Sequence, residues 1–296
     1  MKLPLKEVKS RLARAGVKHF SPSQLNTYIA SPTAFLMRYL GYRGEGNAAT
    51  FRGQAVEAGC DYIADGNDDL EGAIKLALEF FDEKTVFLAD PKKDEERENI
   101  AGMVEQAHPY LLEYGVTDRP PEGRNQLRVM LNLEGVIPSI MGFVDYMYAD
   151  RTPDRGLIVD LKTSKRLPAK AKDTGQYRIN AGHIRQGATY HAYMTQTYDK
   201  PFDVIFLYVT PEKSLEYKFT DDNLQTGLSQ IHRAALSAQR LVTLSPNLED
   251  VALSLFPDQS SFYLNDIEEG VNKIYSFENL LGKEKPEHDD DGVIFE

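Results

Sequence analysis

The tripeptide Asp160-Leu161-Lys162 closes an apolar run, Leu157-Ile158-Val159, that reads as a buried β-strand. Side chains alternate along a strand, so Asp160 and Lys162 project from one face while Leu161 points into the core. A carboxylate that can hold a divalent cation, beside an ammonium that can contact water or phosphate, suits phosphodiester hydrolysis. The tripeptide pattern alone is common: Glu7 with Lys9, Asp82 with Lys84, Asp90 with Lys92 and Glu216 with Lys218 repeat it. The first three fall in helical or loop-like segments, where residues two apart do not share a face. Glu216 and Lys218 could share a strand face, and there an exposed edge of mixed charge is the expectation.

The neighbourhood of Asp160 sets it apart. Gly142-Phe143-Val144-Asp145 lies on the preceding predicted strand, and a hairpin through the turn Pro153-Asp154-Arg155-Gly156 would bring Asp145 beside Asp160. Two carboxylates, a backbone carbonyl such as that of Leu161 and several waters make the oxygen-rich shell that magnesium or manganese prefers.

The elements that must position these groups are legible in outline. Ser21-Pro22-Ser23-Gln24 reads as a helix start, with Ser21 as cap, Pro22 at the first helical position and Gln24 completing a capping box. Pro32 breaks or restarts that helix, and apolar spacing continues through Phe35, Leu36, Tyr39 and Leu40 to Gly41. A Gly- and Ala-rich stretch, 44–53, leads into a helix carrying Val56, Glu57 and Cys60, and further helices are predicted over 70–81 and 100–114. A turn-rich connector, 117–123, precedes strands over 127–136, 140–148 and 156–161. A helix over 183–197, a strand over 203–209, an edge strand over 215–219 and a helix over 223–241 follow. This order predicts an α/β fold, a central mixed β-sheet flanked by helices with helical N-terminal and C-terminal elaborations. We expect a single domain over 1–285, helical over 1–116, with the sheet-containing catalytic core over 124–220 and a C-terminal helical part over 221–285. The acidic tail, 286–296, is expected to be disordered.

Composition excludes several chemistries. Cys60 is the one cysteine in 296 residues, so there is no internal disulfide and no thiolate cluster for zinc or iron–sulfur. The histidines form no H-E-x-x-H pair, and neither a G-x-x-x-x-G-K-[ST] loop nor a G-x-S-x-G elbow is present. No apolar run approaches the roughly 20 residues of a membrane span, and no secretory signal is visible, so a cytoplasmic location and no membrane association are expected. The net charge of −11 argues against a general positive field. Locally the balance reverses: Lys165, Arg166, Lys170, Lys172, Arg178 and Arg185 stand against one acid, Asp173, a strip able to hold a phosphate backbone.

With these residues in view, the chain resembles the RecB-like PD-(D/E)xK nucleases, which include compact phage and bacterial exonucleases. The resemblance runs from Ser21-Pro22-Ser23-Gln24-Leu25-Asn26 and Ser31-Pro32-Thr33-Ala34-Phe35 through Gly53-Gln54-Ala55-Val56-Glu57, similar to a G-x-x-x-H/E motif. It continues through Gly142 to Asp145 and Asp160-Leu161-Lys162-Thr163-Ser164 to Gln186-Gly187-Ala188-Thr189-Tyr190, which matches Q-x-x-x-Y. It implies a restriction-endonuclease-like core and a metal-dependent DNA nuclease, with exonuclease action on DNA ends in replication, recombination or repair preferred. A structure-specific or sequence-specific endonuclease and a catalytically silent DNA-end-binding protein are the alternatives. By resemblance Glu57, where many relatives have histidine, joins Asp145, Asp160 and the Leu161 carbonyl around one or two Mg2+ or Mn2+ ions, and Lys162 orients the attacking water. Gln186 and Tyr190, with Lys165, Arg166, Arg178, Arg185, Ser21 and Ser23, would contact DNA. The iron–sulfur branch of the family uses four cysteines, so no such cluster is expected here. Acids followed by apolar residues in the tail would suit docking to a recombination or replication protein. Oligomeric state is not encoded in any pattern we recognise.

Overall fold

The computed structural model describes residues 3–42, 46–118, 126–255, 264 and 267–276. The acidic tail lies outside the described residues, as does most of the turn-rich connector. The chain divides into two compact units, one formed by 1–18, 27–44 and 237–296 and the other by 19–26 and 45–236.

The first unit contains α1 (Leu5–Arg14), the C-terminal end of α2 (Pro22–Ala30), α3 (Pro32–Tyr39), the end of α8 (Asp221–Val242), α9 (Leu248–Leu253) and α10 (Glu268–Ile274). The restart at Pro32 is real: Ser31 caps α3 by accepting from the Ala34 N–H, and Pro32 occupies a position whose own N–H would be orphaned. Helix α1 has no counterpart among the sequence expectations; its Arg11 donates to the carbonyls of Thr243 and Leu244 after α8.

Among the described residues, the larger unit holds every strand. Helices α4 (Ala48–Ala64), α5 (Leu70–Lys84) and α6 (Lys93–Tyr114) pack together, joined by a core in which Val56, Cys60, Phe81, Ile100 and Met103 are buried. Asn47 caps α4 from within the Gly- and Ala-rich stretch, so the helix starts earlier than its apolar pattern alone suggests. Strands β1 (His19–Phe20), β2 (Leu127–Leu131) and β3 (Ser139–Val144) form a sheet of order β1-β3-β2. Strands β4 (Tyr146–Thr152), β5 (Arg155–Thr163), β6 (Phe202–Val209) and β7 (Ser214–Lys218) form a second, of order β4-β5-β6-β7. Both sheets mix parallel and antiparallel pairs. The expected α/β fold is therefore present, with two mixed sheets where one was anticipated.

The division originates at Asp145. The strand expected over 140–148 ends at Val144 and restarts at Tyr146, and its halves pair with different neighbours. The first half pairs with β1 and β2, so the expected hairpin with the Asp160 strand is made by β4 alone. Strand β5 runs parallel to β6 between two helical layers, which is why both strands read as continuous apolar segments. Leu157, Val159 and Leu161 join the core shared with α4, α5 and α6, while Ile158 joins the core under α7 (Ala181–Tyr198). Among the described residues no helix is long and apolar enough to cross a membrane.

Candidate active site

Asp145 and Asp160 meet as the strand pattern requires. In the β4–β5 ladder Tyr146 faces Val159, so continuing the antiparallel register by one step sets Asp145 opposite Asp160. Asp145 Oδ2 accepts a 2.9 Å hydrogen bond from the Leu161 N–H, which ties the junction between the sheets to β5. Leu161 contributes that amide and a buried side chain. Asp160 is only 1% exposed and receives Lys162 Nζ at 2.9 and 2.8 Å on its two oxygens. The ammonium also lies 4.9 Å from the centre of the Phe206 ring, the residue paired with Asp160 across the parallel ladder. Asp160 and Lys162 thus share a face.

Glu57 reaches this constellation from α4 through a residue that the sequence analysis did not select. Gln126, immediately before β2, donates from Nε2 to Glu57 Oε1 and, at 3.0 Å, to Asp145 Oδ1. Burial pushes the Glu57 carboxyl above the ordinary carboxylate range, and the negative charge of Asp160 adds to the shift. The Asp145 carboxyl is pushed well above that range, first by burial and then by the charges of Asp160 and Glu57. A concentration of like charge in a partly dry place fits a site that a divalent cation would neutralise.

Among the described residues no group of three His, Cys, Asp or Glu side chains is arranged to hold a metal ion. The reason is visible in the pairing: both oxygens of Asp160 face Lys162, and Glu57 and Asp145 share the Gln126 amide. The donor set nevertheless suits a hard divalent cation, because two carboxylate oxygens from different elements converge on one point, now occupied by the Gln126 amide nitrogen.

Helix α7 bounds the other side. Asn180 caps it through the Gly182 N–H, and Asn26 of α2 binds both the Gly182 carbonyl and Arg185 Nε. Gln186 Nε2 donates to Tyr190 Oη at 2.7 Å, as expected for side chains one helical turn apart. Tyr190 is only 2% exposed, and its hydroxyl also engages the backbone amide of Phe143, two residues before Asp145. Through these contacts Tyr190 binds α7 to β3. A Cβ at Gly142 would stand 2.7 Å from the Tyr190 ring, so only glycine admits this approach.

A second residue missed in the sequence is His183, whose Nδ1 lies 2.8 Å from the Tyr208 hydroxyl. Tyr208 pairs with Lys162 in the β5–β6 register. Burial, helped by the charge of Lys162, lowers the His183 pKa to about 4, so the ring is neutral near pH 7. Its i−3 spacing from Gln186 on α7 was the available signal.

The remaining expected contacts divide. Lys165 is committed to Glu95 at 2.6 Å and Glu96 at 2.9 Å. Glu96 is buried and also pairs with buried Arg52, whose guanidinium lies 3.5 Å from Thr163 Oγ1, next to Lys162. Arg166 and Arg178 are exposed in the segment between β5 and α7. Arg185 is held by Asn26 and Gln230, while Ser21 bonds Ser23 and caps Gln24. The rival pair separates: Glu216 accepts from Tyr114, and Lys218 pairs with Asp203.

The family model of the PD-(D/E)XK nuclease superfamily matches residues 19–267, most of the chain and all of the residues just described. Among solved structures, a crystal structure from Eubacterium rectale described as a "putative exonuclease" superposes with a TM-score of 0.51 at 20% identity. That match covers 83% of this chain and 88% of the other and shows a shared fold. No curated protein matches the sequence. The extent of the family match identifies this chain as a member of the PD-(D/E)XK nuclease superfamily.

Proposed function

We propose that this nuclease is a divalent-cation-dependent deoxyribonuclease that removes nucleotides from DNA ends. The observation that carries the reading is the meeting of Asp145 and Asp160 across the β4–β5 pair with Lys162 on the Asp160 face. Glu57, Asp145, Asp160 and the Leu161 carbonyl would hold magnesium or manganese. Bound there, the ion supplies electrostatic stabilisation of the charge that develops on the phosphate.

The chain's own groups do the rest. Lys162 contacts the attacking water and a non-bridging phosphate oxygen, where its positive charge favours the five-coordinate transition state. The water oxygen bonds to phosphorus, the bond from phosphorus to the 3′ oxygen breaks, and that oxygen leaves as a hydroxyl with a proton from water. The products are a 5′-phosphate and a 3′-hydroxyl. The Leu161 amide fixes Asp145, and Gln186 with Tyr190 fixes the β3 end that leads into it. Exposed Arg166 and Arg178 would hold the phosphate backbone. The family's phage and bacterial exonucleases and the description of the Eubacterium rectale neighbour support digestion from ends.

The test is digestion of end-labelled linear duplex, linear single strands and closed circular DNA, with magnesium and with chelator. Magnesium-dependent loss of linear DNA, with circles intact, is the expected result. Cleavage of closed circles at the linear rate would replace the exonuclease by an endonuclease, and equal digestion in chelator would remove the cation.

A further inference from the structure

We infer that Gln126 is an additional cation ligand of this site, presenting Oε1 to the ion after its carboxamide turns over. The inference rests on the cation reading above and concerns a residue outside the family motifs.

The present amide orientation follows from chemistry. Nε2 faces two carboxylate oxygens, Glu57 Oε1 and Asp145 Oδ1. Placing the amide oxygen there would set three acceptors against one another with nothing between them, so without an ion only the nitrogen is tolerated. A cation shared by the same two carboxylates reverses that preference, because the N–H hydrogens would then point at a positive charge. A half-turn about the last side-chain bond exchanges nitrogen and oxygen with little change in shape. It brings Oε1 to the position that Nε2 now occupies.

The spacing there is that of a coordination shell. Octahedral ligands about 2.1 Å from magnesium stand about 3.0 Å apart when adjacent. Nε2 is 3.0 Å from Asp145 Oδ1 and in contact with Glu57 Oε1. The atom that replaces it would therefore lie at the separation of an adjacent ligand from Asp145 Oδ1. Gln126 also lines an open cavity of about 510 Å³ together with Glu57, Asp61, Phe80 and Phe143, which leaves room for the turn and for coordinated water. A neutral amide oxygen completes an oxygen set without adding to the negative charge already crowded onto Glu57, Asp145 and Asp160.

The experiment is calorimetric titration of the full chain with MnCl2 in the absence of DNA, comparing wild type with Gln126→Met, Gln126→Glu and Asp145→Asn. Gln126→Met keeps length and loses both polar atoms; it should weaken Mn2+ binding about tenfold. Gln126→Glu keeps an oxygen at the site and should bind at least as tightly as wild type. Melting curves in chelator confirm that each variant is folded. Unchanged or tighter binding by a folded Gln126→Met protein, with Asp145→Asn weakened, overturns the role of Gln126 and leaves the cation site standing. No Mn2+ binding by wild type overturns both.

Discussion

Asp145 Oδ2 sits 2.9 Å from the Leu161 amide, so the acid at the break between the two sheets is anchored to the strand that carries Asp160 and Lys162. One hydrogen bond thus converts a local interruption of β-structure into a shared site. Asp145→Asn keeps an oxygen that can accept this bond and removes the charge. Its carboxyl stands above the ordinary range, so in the native state ionisation is disfavoured and stability falls as pH rises from that range toward the native pKa. In chelator near pH 8, Asp145→Asn is therefore expected to be more stable than wild type. Magnesium should raise the melting temperature of wild type more at pH 8 than at pH 5, and should do little for the variant. A thermal melt series with and without chelator checks both signs.

Gly142→Ala drives a methyl group into the Tyr190 ring, since the contact would be 2.7 Å. Overpacking of this kind costs about 1–3 kcal/mol. The displaced strand end leads into Asp145, so DNA cleavage should fall together with stability. Combining Gly142→Ala with Tyr190→Leu removes the clash, and the double variant should lose less than the sum of the single changes. Urea unfolding of the four proteins measures the coupling, and additive losses would contradict it.

His183 makes stability depend on acid. Its native pKa is about 4, below the ordinary imidazole value of 6.5, so between these values the unfolded chain binds a proton that the native ring refuses. Stability contributed by the neutral ring is full above about pH 6.5 and is lost as pH falls toward 4. For the wild type this loss between pH 7 and pH 4.5 should exceed that of His183→Gln by roughly 2–3 kcal/mol. Urea titrations of both proteins at the two pH values measure it.

Glu96 is buried between Arg52 and Lys165. Glu96→Ala leaves the Arg52 guanidinium uncompensated in the interior, which is expected to cost about 3–5 kcal/mol. Replacing both members of the Arg52 and Glu96 pair by Met should recover most of that loss, because two desolvated charges then give way to apolar volume. If the double replacement unfolds as readily as Glu96→Ala, the guanidinium is not the source of the cost.

The legible part of the site is the part written in short-range patterns. Asp160 and Lys162 were readable because an apolar run fixed the strand and a two-residue period fixed the face. The restart at Pro32 was readable because a proline's effect on a helix is local. The break at Asp145 was hidden because no glycine or proline marks it: apolar residues continue through Val144 and Tyr146, and only the change of strand partner divides them. Gln126 and Arg52 were hidden for a different reason. Each takes its meaning from a partner far away in the chain, Gln126 from Glu57 and Arg52 from Glu96, and a single sequence carries no record of such pairings.

The account rests on Asp160 and Lys162 acting together, so its most direct test is a single-turnover cleavage rate on end-labelled linear DNA with saturating magnesium. Wild type is compared with Lys162→Ala, Asp160→Asn and, as a control from the look-alike pair on β7, Glu216→Gln. The first two should lose a factor on the order of 10³ or more while remaining folded, and Glu216→Gln should cleave at the wild-type rate. Cleavage by Lys162→Ala or Asp160→Asn within a few-fold of wild type would contradict the account.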